Sequence, residues 1–87
     1  TDSELVSELV LQLATVDSTI LENIQTISLK PSKATADLLQ LDMYDGNVVL
    51  VPLTEIEKKL PYYTGIASQL AAPSTIDMEV GIYSYTN

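Results

Sequence analysis

Cysteine, histidine, arginine, tryptophan and phenylalanine are all missing from this 87-residue chain. Without thiols there are no disulfides and no thiolate nucleophile. Without imidazole, the usual zinc sites and histidine acid–base catalysis are excluded as well. The lack of cysteine is neutral on compartment, since a thiol-free domain suits either side of a membrane. Positive charge is scarce: four lysines face twelve acidic residues, for a formal net charge of −8. A phosphate backbone needs a basic footprint, so nucleic acid and anionic membrane surfaces are disfavoured as partners. A basic or mixed-charge protein is electrostatically easier. Long apolar runs are absent too, so nothing here reads as a membrane span or a signal peptide. The anchor of any longer membrane protein would lie outside this stretch, and a first residue of Thr1 points to excision from something longer. Glycine is limited to three scattered positions, which leaves no phosphate-cradling loop.

What is present suffices for one core. The composition is 46% hydrophobic, dominated by Leu, Ile and Val, and one small domain without linker or repeat fits the length. Ser3 can cap an opening helix in which Leu5, Leu9 and Leu13 recur at i, i+4, i+8. Val6 and Val10 are expected to widen its apolar stripe, with Glu8 and Gln12 facing away. Asp17-Ser18 offers a second cap and a short helical turn. Alternation over 24–29 and again over 38–44 predicts two strands, and 48–51 a third. Asp45-Gly46 between the last two is a hairpin signal, because glycine supplies the positive φ that such turns require. Thr54 to Glu57 fits a capping box, and Ile66, Ala67 and Leu70 continue helical spacing after Pro61. Gly65 weakens that helix by roughly 0.5–1 kcal/mol relative to alanine. Ile76, Met78, Val80 and Ile82 then alternate in a single last strand, with Tyr83 and Tyr85 extending its outward row.

The expected fold is therefore α+β in two layers, with element order α-β-β-β-α-β. Four strands form a mixed sheet: an antiparallel meander plus a final crossover strand at an edge, with helices on one face. The favoured strand order is 1-2-3-4, and 4-1-2-3 also satisfies the connection rules.

Chemistry-bearing arrangements are sparse. Asp42, Asp45 and Asn47 around Gly46 invite a calcium-loop reading, but Leu41 and Met43 stand at ligand positions and Pro52 replaces the closing glutamate. A polar hairpin tip explains them better. Asp77 and Glu79 share a strand face that should be solvated, so they read as surface charges rather than an acid–base pair. Lys58 and Lys59 sit beside Glu55 and Glu57, where helical ion pairing accounts for them. The residues thus point away from an enzyme, and no cofactor or metal is called for.

The aromatics carry more information. All five are tyrosines, and four of them fall in the clusters Tyr62-Tyr63 and Tyr83/Tyr85. Tyrosine is enriched at interfaces, although one ring in each cluster can equally pack over the core edge. The last strand has neither proline nor lysine from Thr75 onward, so its edge is unshielded, and Gly81 would let a second backbone approach. Strand addition follows as the expected mode of binding. The rival is a structural spacer with no partner site of its own.

The ordered combination of Lys58-Lys59-Leu60-Pro61-Tyr62-Tyr63, Ile66-Ala67-Ser68-Gln69-Leu70 and residues 76–85 resembles the extracytoplasmic β domain of the DivIB/FtsQ family, in a Gram-positive, streptococcal form. The leading helix and the Asp-Gly hairpin fall in matching places, so the likeness covers nearly the whole chain. The resemblance implies a single-pass cell-membrane protein of the division septum, with this domain on the extracellular side. Residues 1–87 would be its β domain, without the membrane span, POTRA-type domain and C-terminal tail. It also implies a non-catalytic scaffold that binds DivIC (FtsB) and FtsL. The partner-binding positions carried over are Glu79, Val80, Gly81, Ile82, Tyr83, Ser84 and Tyr85, with Tyr62 and Tyr63 as a second candidate face. FtsQ versions carry basic and aromatic residues near that strand, whereas Glu79 is acidic.

Overall fold

The computed structural model describes residues 2–79 and 81–86, and it is α+β as expected, with one strand more than the sequence suggested. Helices α1 (Asp2–Leu13) and α2 (Ser18–Asn23) lead into β1 (Ile24–Leu29), β2 (Leu38–Met43) and β3 (Val48–Pro52). Residues 53–67 then form a run of short helical turns that includes α3 (Ile56–Lys59) and α4 (Tyr63–Ala67). Strands β4 (Ser74–Asp77) and β5 (Tyr83–Thr86) close the chain. The sheet order is β1-β2-β3-β4-β5. The meander β1-β2-β3 is antiparallel, the helical crossover makes β4 parallel to β3, and β5 returns antiparallel to β4.

The single last strand of the sequence reading is thus two strands. Asp77 explains the break: its Oδ1 accepts from the Glu79 amide at 2.9 Å, turning the chain where the ladder would have continued. Lys59 Nζ donates to the carbonyls of Met78 and Glu79 at 2.8 and 3.3 Å, so the turn's acceptors are met by a side chain from α3. Val80 lies outside the described residues, and Ile82 is 40% exposed rather than aligned with buried Met78.

One face of the sheet carries the core. Leu39, Leu41 and Met43 of β2, Val49 and Val51 of β3, and Ile76 of β4 meet Val16, Ile20, Leu53, Ile56, Leu60 and Tyr63 from the helical layer. Seven of these large side chains, Met78 included, are essentially fully buried, each stabilising the fold by about 1.5–3 kcal/mol. The register puts Gln40, Leu50, Asp77 and Tyr83 in one row on the opposite face.

Local signals vary in outcome. Asp17 does cap α2, accepting from the Thr19 amide at 2.9 Å. Gly46 adopts φ +91° at the hairpin tip, as that turn demands. Two capping assignments are corrected. Helix α1 already begins at Asp2, so Ser3 is not at its boundary. The Thr54–Glu57 box does not form, because Asp37 Oδ2 takes both the amide and the hydroxyl of Thr54, at 3.1 and 3.0 Å. In α1, Val6 and Val10 are exposed at 58% and 60%, while Gln12 turns inward and accepts from the Glu57 amide at 3.2 Å. The helix is therefore rotated from the expected stripe, because it packs on the crossover turns that follow β3.

Candidate partner-binding site

Strand β4 has β3 on one side and β5 on the other, so its backbone is enclosed. The free edge that the sequence reading placed at Thr75 onward is instead the outer side of β5. Among the described residues no strand flanks that side. In an antiparallel ladder alternate residues turn their N–H and C=O groups away from the partner strand. The outer side of Tyr83–Thr86 thus offers a short row of donors and acceptors, with no proline or lysine to blunt it. All four side chains are exposed.

The register distributes them. Tyr83 pairs with Asp77 and Tyr85 with Thr75, so both rings stand on the face away from the helices, at 65% and 55% exposure. Ser84 pairs with Ile76 and Thr86 with Ser74, so the helix side of β5 carries only small hydroxyls. Beneath them an open groove of about 350 Å³ is lined by Tyr62, Gly65, Ile66, Gln69 and Ile82. A second, adjoining groove shares Ile66, Gln69 and Ile82 with it and is lined further by Leu70, Tyr83 and Ser84.

The remaining predicted positions separate. Glu79 is held by the Ser32 hydroxyl, and hydrogen bonds from Ser32 and Thr35 keep its carboxyl below the ordinary range. At Gly81 a Cβ would meet the Tyr83 ring at 3.1 Å, so the glycine makes room for this chain's own tyrosine. Tyr62 is 61% exposed at the groove. Tyr63 is 3% exposed, which makes it core rather than a docking face.

Sequence reasoning missed what Tyr63 does. Its hydroxyl donates to Asp45 Oδ2 at 2.6 Å and accepts from Asn47 Nδ2 at 3.2 Å. Asn23 Nδ2 reaches the same carboxylate at 2.9 Å, the Asn47 amide donates to Asp45 Oδ1 at 3.2 Å, and Asn47 Oδ1 accepts from the Ser74 amide at 2.9 Å. One polar network thus ties α2, the hairpin tip, α4 and the start of β4 together. Burial, then the Asp45 carboxylate, push the Tyr63 phenol up to about 12. Burial alone would raise Asp45, but hydrogen bonds from Tyr63, Asn23 and the Asn47 amide outweigh it and hold the carboxyl low. The supposed calcium ligands Asp45 and Asn47 are engaged in this network. Among the described residues no group of three acidic side chains could hold a metal. Lys59 pairs with Glu55 at 2.9 Å, as its helical spacing suggested.

Comparison with known proteins decides the family. The chain is 57% identical over 86 residues to the cell division protein DivIB of Streptococcus suis, covering 99% of this chain and 24% of that protein. It is 52% identical over 85 residues to DivIB of Streptococcus pneumoniae, with 98% and 22% covered. DivIB of Enterococcus faecalis is 37% identical over 84 residues, with 97% and 22% covered.

The chain belongs to the DivIB family.

It spans about a quarter of the length of these curated relatives. No family model matches it, and no solved structure does. Those relatives are named as cell division proteins. Among the described residues no helix is long and apolar enough to cross a membrane.

Proposed function

We propose that this DivIB-family domain is a non-catalytic scaffold that captures DivIC (FtsB) and FtsL by strand addition to the outer edge of β5 during septum formation. The protein carrying it is anchored in the cell membrane by a single span and presents the domain on the extracellular side at the septum. The observation that carries this reading is the unshielded outer side of Tyr83–Thr86 at the end of the sheet. Main-chain bonds to that row supply affinity, and the side chains on its two faces supply selectivity. Tyr83, Ser84 and Tyr85 are the contact positions. Glu79, Gly81 and Ile82 shape the turn that presents them. The net charge of −8 favours a basic or mixed-charge partner segment.

The test uses Ser84→Pro and Tyr85→Pro. The two sites alternate, so one of them removes an outward-facing donor. Titration of DivIC's extracellular segment is expected to show that variant weakened by about tenfold or more. Unaltered affinity in both variants, with far-UV circular dichroism intact, removes the mechanism.

A further inference from the structure

Gly65 sits in the middle of α4, where glycine destabilises a helix relative to alanine. Its φ lies outside the positive region, so no turn requires it. A Cβ built on it would meet nothing within 4 Å, so no neighbour in the chain requires it either. The fold makes no use of this glycine, yet it lines the groove beside β5, between half-solvated Ile66 and exposed Tyr62. The other groove wall is Ile82, left 40% exposed by the break in the last strand. Above it the helix side of β5 presents only Ser84 and Thr86. On this face the cross-strand row Leu41, Val49 and Ile76 runs into Ser84 of β5, so the layer is left unfilled at the sheet's edge.

We infer that the groove over Gly65 receives one bulky apolar side chain, leucine or an aromatic, from an extended partner segment paired with β5. The inference deepens the strand-addition reading and rests on it. A strand added to β5 alternates its side chains between the two faces, and those on the helix side fall over Ile66, Gln69 and Gly65. Gly65 lets that side chain reach the helix backbone. The partner's flanking residues are basic, because this chain carries twelve acids against four lysines, and Asp77 stands in the same cross-strand row as Tyr83. A second copy of the chain, also at −8, is repelled.

The experiment uses synthetic peptides with an alternating Thr-Val host, lysines at both ends, and Phe, Leu, Ala or Glu at one central position. Binding to the native chain, Gly65→Leu, Ser84→Pro and Tyr85→Pro is read by fluorescence anisotropy. The Phe and Leu peptides are expected to bind at least about tenfold more tightly than Ala, and Gly65→Leu to erase that preference. The thermal midpoint of Gly65→Leu should be unchanged or raised, because the new side chain enters open space. Should leucine disturb the fold, Gly65→Ala keeps the test alive with a smaller loss of preference. An unchanged Phe-over-Ala preference in Gly65→Leu, no preference in the native chain, or no peptide binding at all overturns the inference. Loss in Ser84→Pro or Tyr85→Pro without loss in Gly65→Leu refutes the groove and leaves strand addition standing. Indifference of all three variants refutes both. Self-association of the native chain that Gly65→Leu abolishes would make a second copy the occupant and overturn the assignment to a basic partner.

Discussion

Removing one oxygen from Tyr63 should cost this domain a large part of its stability. Tyr63→Phe keeps the buried ring, so packing against the core is preserved. Two polar consequences remain. Asn47, a residue 6% exposed, loses the acceptor 3.2 Å from its Nδ2, and Asp45 loses its shortest donor, at 2.6 Å. A buried donor left unmet costs about 1–3 kcal/mol. In a domain of this size each kcal/mol shifts the melting midpoint by about 4–8 °C, so a 2 kcal/mol loss lowers it by roughly 8–16 °C. Circular dichroism melts at neutral pH measure this directly. Alkaline pH supplies a second signature. The unfolded phenol ionises near 10.0, whereas the folded one holds its proton to about 12. A folded value above the unfolded one means that the contribution is complete below pH 10 and is lost as pH rises to about 12. The gap between native and Tyr63→Phe proteins should therefore narrow over that interval. A midpoint lowered by less than about 2 °C, or a gap that ignores pH, would refute the account of the network.

Other variants probe the sheet and its turn. Leu41→Ala empties a site with no solvent exposure between Ile27 and Val49, and urea unfolding should show a loss of about 2–5 kcal/mol. Gly46→Ala forces a side chain into φ +91° with its Cβ 3.3 Å from Pro73, so the same assay should register about 1–2 kcal/mol. Lys59→Met strips the donor from the Met78 and Glu79 carbonyls as well as the ion pair with Glu55. The partly exposed ion pair adds little. The carbonyl contacts should account for about 1–2 kcal/mol, with amide exchange in Tyr83–Thr86 accelerating more than in β2.

The helix–strand order through β3, the Asp-Gly hairpin and the family likeness are all legible in the amino acids alone. Period-2 patterning, a positive-φ glycine and the Asp17 cap are local, and each acts within a few residues. The favoured strand order followed from connection rules and holds through β4, the parallel neighbour of β3. The rest depends on contacts between distant parts of the chain. Residues 76–82 alternate flawlessly on paper, yet Asp77 bends the chain after β4, and a lysine nineteen and twenty residues earlier satisfies the freed carbonyls of Met78 and Glu79. Asp37 displaces the Thr54 capping box, and Tyr63 leaves the surface for a network assembled from four elements. These contacts join residues far apart in the chain, so no local pattern encodes them. The same holds for the β5 edge and the groove at Gly65, which exist only where the last hairpin and α4 come side by side.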